Sequence, residues 1–157
     1  MGGLVRRIRE LVEGRDTVVV APSTSVFEAA RLMRDHQIGA LPVLDGDRVA
    51  GIFTERDVMC RVVAAGHDPL HTLVAEVMST ELIVVDVNES YEKCLSQMRR
   101  AAVRHILVLS ADHLVGIVSL RDLLALDANE KEEAIKLLNA YVHYIPVDLT
   151  RPKAPHH

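Results

Sequence analysis

The sequence predicts an α+β fold made of two repeated β-α-β-β-α units. Three observations predict it. The stretch Gly51-Ile52-Phe53-Thr54-Glu55-Arg56-Asp57 recurs as Gly116-Ile117-Val118-Ser119-Leu120-Arg121-Asp122. Aligning the two stretches aligns nearly everything before them without a gap: Val19-Val20 falls on Val84-Val85, Ser25 on Ser90, Met33-Arg34 on Met98-Arg99, Val43-Leu44 on Val108-Leu109 and Asp47 on Asp112. Within each repeat, short β-branched runs alternate with apolar stripes of helical period, and a tight turn folds two of the runs into an antiparallel hairpin.

In chain order, Leu4, Ile8, Leu11 and Val12 recur at helical spacing among Arg6, Arg7, Arg9 and Glu10, and Gly14 stands where that helix would stop. Packing against its own domain is favoured over lying on a membrane. Thr17 to Val20 is short and β-branched, which predicts a strand, and Pro22-Ser23-Thr24-Ser25 breaks it and supplies a cap. Val26, Ala29, Ala30 and Met33 then make one stripe of a helix ending near His36, with Glu28, Arg31, Arg34 and Asp35 toward water. Ile38 to Leu44 and Val49 to Phe53 are strands joined by the Asp45-Gly46-Asp47 turn. A helix from Glu55 to near Gly66 is expected to carry Val58, Met59, Val62 and Val63 on its inner face.

The second repeat gives a strand over Leu82 to Val85 and a helix with Tyr91, Cys94, Leu95 and Met98 inward. A hairpin of Val103 to Leu109 and Leu114 to Val118 follows, about Ala111-Asp112-His113. Ser119 caps a helix bearing Leu123, Leu124 and Leu126. Glu130 to Tyr141 is a further amphipathic helix with Glu132 and Lys136 at i,i+4 spacing, and Pro146, Pro152 and Pro155 mark an irregular tail.

Composition narrows the function. With 157 residues, about half of them apolar, the chain can bury a sizeable core. No apolar run approaches bilayer-spanning length, so the expected location is the cytoplasm. A net charge of −4 and few aromatic residues disfavour a nucleic-acid surface, which wants basic stripes and stacking rings. Cys60 and Cys94 are isolated and are expected to be buried thiols. His67 and His71 are four apart, but Pro69 between them argues against a helix that would pair them on a metal, and no metal site is expected. Neither a catalytic triad nor a Walker loop is present, so an enzyme is not expected.

The repeated seven residues have a chemistry of their own. Gly51 and Gly116 let backbone approach closely, and the next two apolar residues end a buried strand. Thr54 or Ser119 sits at the N-cap, leaving helix N–H groups that attract phosphate. Asp57 or Asp122, three residues on, offers two acceptor oxygens suited to a ribose diol. The plainer alternative is a strand turning into a capped helix, since a hydroxyl followed three residues later by an acid is close to a capping box.

The repeated unit, with this corner inside it, resembles a tandem pair of cystathionine-β-synthase-type (CBS) domains of the stand-alone prokaryotic kind. The resemblance covers Thr17 to Leu126. It divides the chain into an N-terminal helix (1–16), a first CBS unit with its linker (17–74), a second unit (75–128) and a C-terminal helix with tail (129–157). Thr72 to Met78 resembles the family's linker helix.

The resemblance further implies two units packed by their sheets about a pseudo-twofold axis, each cleft joining the corner of one unit to the strands of the other. One expected site is Thr54, Arg56 and Asp57 with Ile83, Val103, Arg104, His105 and Leu107. The other is Ser119, Arg121 and Asp122 with Val18, Ile38, Gly39, Ala40 and Pro42. Within them the Asp residues would hold ribose, Thr54 and Ser119 phosphate, and Ile38, Ile83 and Val103 the faces of adenine. Arg104 and His105, against Gly39 and Ala40, suit the Asp57 cleft to a phosphate tail.

The implied function is regulatory binding of AMP, ADP or ATP with no other cofactor, reporting energy state to an unknown protein partner in trans. A homodimer through helices carrying Val58, Val62, Leu123 and Leu124 is expected. The alternatives are a ligand-free dimeric scaffold, or a pair that binds S-adenosylmethionine or NADH. A metal or redox sensor through His67, His71, Cys60 or Cys94 comes last.

Overall fold

The computed structural model describes residues 7–126, 135 and 138–140. The chain divides into two compact units, Met1–Leu120 and Arg121–His157. In chain order the elements are α1 (Arg9–Val12), α2 (Val26–His36), β1 (Ala40–Asp45), β2 (Arg48–Thr54) and α3 (Glu55–Asp57), which continues into a π-helical turn at Val58–Val63. Then come α4 (Val74–Val77), β3 (Val84–Asp86), α5 (Tyr91–Ala101), β4 (His105–Ser110), β5 (His113–Ser119) and α6 (Leu120–Leu126).

Each repeat has its own sheet. β1 and β2 pair antiparallel from Ala40↔Thr54 to Asp45↔Arg48, and β4 and β5 do the same from His105↔Ser119 to Ser110↔His113. Both ladders shift register at the same place in the repeat, between Val43 and Leu44 and between Val108 and Leu109. β3 adds a parallel strand to β4, making β4 the middle of three. The expected strand at Thr17 to Val20 is absent from the first sheet: only Val20 bridges, to Val43. Pro42 explains the difference. In the second sheet the Leu107 N–H donates to the Ile83 carbonyl at 3.1 Å. The residue at the matching position in β1 is Pro42, which has no N–H to give Val18.

The paired helices α2 and α5 begin alike and end alike. Ser25 and Ser90 are N-caps whose hydroxyls accept from the Glu28 and Lys93 N–H groups. Each helix ends on a left-handed residue, Gln37 or Ala102, both at φ 54. Val26, Ala29 and Met33 face inward on α2, and Tyr91, Cys94 and Met98 on α5. Ser25→Ala is expected to cost about 1 kcal/mol, measured by denaturant unfolding.

After Asp57 the chain departs from the predicted α-helix. The Ala64 N–H reaches the Met59 carbonyl at 2.9 Å, a five-residue step that widens the turn. Val62 is then fully buried and Val58 half-buried, while Met59 and Val63, expected inward, are 60% and 66% exposed. Cys60 lies on the same segment and is exposed, correcting the expectation of two buried thiols. Cys94 is buried, which together with the Glu89 carboxylate pushes its thiol up to about 12. Native protein is therefore expected to titrate one fast thiol per chain with a disulfide reagent at pH 8, the second only after unfolding.

Two short helices join the repeats to each other. α4 packs on β2, and its Val74 and Val77 enter the first core with Val20, Val26, Met33, Leu41, Val43, Phe53 and Val62. α1 instead packs on β5 of the second repeat. Its flanks are tied there by Ile8 N–H to the Glu89 carbonyl and Arg9 N–H to the Val87 carbonyl, both 3.0 Å. The offset that carries Gly51 onto Gly116 also carries α1 onto α4, so the two helices are counterparts in the repeat.

In the C-terminal unit, Leu123 is fully buried and Leu124 half-buried. Ile135 and Leu138 are helical and exposed. Leu4 and Arg6, the pair Glu132 and Lys136, and the proline tail lie outside the described residues. Val62 and Leu123, expected on a dimer surface, have no exposed area to offer one, because each is fully buried within its chain.

Candidate functional site

Strand β2 ends on Thr54, whose extended backbone (φ −118, ψ 162) makes it the N-cap of α3. Its hydroxyl accepts from the Asp57 N–H at 3.2 Å. Asp57 Oδ2 in return accepts from the Thr54 N–H at 3.0 Å and from the Thr54 hydroxyl at 3.1 Å. This is a complete capping box, the plainer of the two readings of the sequence.

Asp57 is only 6% exposed, and a buried carboxylate needs partners. It has more than the cap. The Ser79 hydroxyl, from the segment that joins the repeats, donates to Oδ1 at 3.2 Å. Arg61 Nε stands 3.6 Å from the same oxygen. Nη1 of Arg61 donates to the Met78 carbonyl at 3.1 Å and reaches the Val77 carbonyl at 3.4 Å. A cation against the last carbonyls of a helix is well placed for the helix dipole. Two N–H or O–H donors from Thr54, one from Ser79 and a guanidinium thus surround a single anion.

Gly39 touches this corner through backbone and by what it lacks. Its carbonyl accepts from the Glu55 N–H at 2.9 Å, and a Cβ on Gly39 would stand 3.1 Å from Glu55 Oε1. In the second repeat Arg104 and Leu120 occupy the matching positions, joined by the same backbone bond at 2.8 Å. The first corner therefore presents a carboxylate where the second has an exposed cation.

The predicted residues distribute as follows. Thr54 and Asp57 come together, and Thr54 lies opposite Ala40 in the β1–β2 ladder as Ser119 lies opposite His105 in the β4–β5 ladder. Arg56, Arg104 and Arg121 are exposed, as is Ile38 at its margin. Val18, Gly39, Ile83, Val103, His105, Ser119 and Asp122 are half-buried. Ala40, Pro42 and Leu107 are buried. Leu107 offers no free strand edge, since it sits in the middle strand with its N–H on Ile83. The Pro42 carbonyl likewise accepts from the Val20 N–H at 3.1 Å.

Sequence reasoning missed Glu55, Arg61 and Ser79. Arg61 was findable, being i,i+4 from Asp57 on one helix face. Ser79 was not, since its repeat counterpart is Gly14 and no pattern marks it. His71, weighed as a metal ligand, pairs instead with Asp68, Nδ1 to Oδ2 at 2.6 Å. That contact holds the Asp68 carboxyl below the usual carboxylate range. Among the described residues no group of three or more His, Cys, Asp or Glu is placed to hold a metal ion.

Comparison with known proteins decides the family. The family model for the CBS domain matches twice, over residues 8–64 and 74–129. The chain belongs to the CBS domain family. It is 38% identical over 124 residues to the CBS domain-containing protein YhcV of Bacillus subtilis, covering 79% of this chain and 87% of that one. To hypoxic response protein 1 of Mycobacterium tuberculosis it is 41% identical over 105 residues, 66% of this chain and 73% of that one. Among solved structures it is similar to the CBS domain protein PAE2072 of Pyrobaculum aerophilum complexed with AMP, at TM-score 0.69 and 25% identity, covering 85% of this chain and 99% of that one. The CBS match begins at residue 8 and so takes in α1, the helix that the repeat offset relates to α4. Among the described residues of this CBS pair, no helix is long and apolar enough to cross a membrane.

Proposed function

We propose that the chain is a regulatory module that binds an adenine nucleotide, AMP, ADP or ATP, at the strand-to-helix corners of its CBS repeats. One observation carries the reading: a structural relative with the same tandem repeat is complexed with AMP. The corner supports it chemically with a carboxylate for ribose; the first-turn N–H groups expected to be open to phosphate are in part taken, Glu55 by the Gly39 carbonyl and Asp57 by the Thr54 hydroxyl. Arg104, an exposed cation, suits the phosphate tail. On this reading the protein is a cytoplasmic homodimer that catalyses nothing, needs no cofactor beyond the nucleotide, and reports energy state to a protein partner as the ligand shifts its conformation.

The test is a thermal-shift panel of AMP, ADP, ATP, S-adenosylmethionine and NADH on wild type, Asp57→Ala, Asp122→Ala and Arg104→Ala. A ligand at a hundred times its dissociation constant adds about 2.7 kcal/mol and is expected to raise the midpoint by roughly 5–10 °C. The Asp variants should diminish that rise, and Arg104→Ala should weaken the nucleotides but not S-adenosylmethionine. A panel with no rise would sink the reading in favour of a ligand-free interaction scaffold. The saturation of Asp57 by its own chain is the observation that favours the scaffold.

A further inference from the structure

We propose that Asp57, Ser79 and Arg61 form a tether fastening the first corner to the segment between the repeats, and that a ribose taking the Asp57 carboxylate must displace Ser79 and loosen that segment. The second half of this statement rests on the nucleotide reading; the first does not.

The geometry points to a tether because each member joins parts of the chain that lie far apart in sequence or on different elements. Ser79 lies 22 positions from Asp57 and bonds both carboxylate oxygens, at 3.2 and 3.5 Å. The Ser79 backbone is held against β2 by a reciprocal pair, its N–H to the Ile52 carbonyl and the Ile52 N–H to its own carbonyl, both 2.9 Å. Arg61 adds a second link from the same carboxylate to the carbonyls of Val77 and Met78 at the end of α4. One buried anion therefore fixes the corner, the π turn and the linker together.

A carboxylate offers about four lone-pair directions, and here Thr54 uses two, Ser79 and Arg61 the rest. A ribose diol needs two of them. The Thr54 bonds belong to the helix cap, while Ser79 and the half-exposed Arg61 are held from outside the corner, so these are the partners a diol would replace. Losing the Ser79 hydroxyl bond removes the side-chain link that holds the linker on the corner and leaves the backbone pair with Ile52 to keep it on β2. Occupancy of the corner is thereby converted into a change in the linker and in α4, which carries Val74 and Val77 into the first core. The repeat offset places Gly14 and Leu126 at the positions of Ser79 and Arg61, and neither side chain has a donor. The pairing of a serine and an arginine at these two positions is therefore particular to the first repeat.

Amide hydrogen exchange read residue by residue by NMR tests both halves. Without ligand, Ser79→Ala is expected to speed exchange of the Ser79-position and Ile52 amides about tenfold, the factor a hydrogen bond to a charged group is worth. Arg61→Gln should move the same amides, and those of Leu44 in β1 and of Val87 just past β3 should not change. Unchanged exchange at position 79 and Ile52 in both variants would overturn the tether.

With saturating AMP, wild-type protein is expected to show the same loosening, and calorimetry to find AMP bound about tenfold more tightly by Ser79→Ala. Equal affinity in the two proteins would overturn the displacement. If Ser79→Ala loosens the amides and neither protein binds AMP, the nucleotide reading and the displacement both fall while the tether stands.

Discussion

A Gly51→Ala variant is expected to unfold about 5–10 °C below wild type in a thermal scan. Gly51 lies in β2, where a Cβ would stand 2.6 Å from Met78 Sδ and 2.8 Å from the Ser79 carbonyl oxygen. The methionine side chain is flexible and can shift. The carbonyl does not, because it accepts the Ile52 N–H at 2.9 Å. Adding the methyl group forces the linker off the sheet edge, breaking that backbone pair and drawing Ser79 from Asp57. Overpacking of this kind costs about 2–3 kcal/mol, and at this chain length each kcal/mol moves the midpoint by roughly 2–4 °C. The repeat supplies the control. At Gly116 the obstacle is the Val12 side chain, Cγ1 at 2.7 Å and Cβ at 3.0 Å, carried by a helix of one turn. Gly116→Ala should cost less, because a side chain can give by a few tenths of an ångström without breaking a backbone hydrogen-bonded pair. A Gly51 variant as stable as wild type would show that the linker does not hold the corner.

Phe53→Ala is expected to cost about 3–5 kcal/mol in denaturant unfolding. Phe53 is fully buried opposite Leu41 in the β1–β2 ladder. It is a large side chain in a core otherwise made mostly of valines, with Val20, Val26, Val43, Val62, Val74 and Val77 in the same cluster. Valines are stiff at χ1 and fill a vacated ring poorly, so the cavity persists and its cost adds to the lost transfer energy. Val118, at the matching place in the second repeat, is fully buried too but smaller. Val118→Ala should therefore lose less. Phe53 also stands next to the Thr54 cap, so the variant tests whether the corner depends on the core beneath it. Comparable losses for Phe53→Ala and Val118→Ala would mean that the first core closes around the gap.

What the sequence by itself determined is the content of the repeat. Stripes such as Val26, Ala29 and Met33, the caps at Ser25 and Ser90, and the Gly46 turn act over four residues or fewer, so their signals lie side by side in the chain. The same holds for Thr54 and Asp57, whose capping box is a three-residue pattern. Tertiary structure alone decided which surface each short helix covers. α1 and α4 occupy the same place at the head of their repeats, and each packs on the last strand of the other repeat, α1 on β5 and α4 on β2, an exchange that no local pattern announces. It also decided the π turn after Asp57, which the α-period of Val58, Met59, Val62 and Val63 disguised. Pro42 shows the boundary between the two. Its missing N–H was legible from the first, but that this would reduce the neighbouring strand to a single bridge at Val20 depended on which strand came to lie beside it. The partners of Asp57 follow the same division: local donors are written next to the carboxylate, whereas Ser79 reaches it only because folding brings the linker back across the sheet.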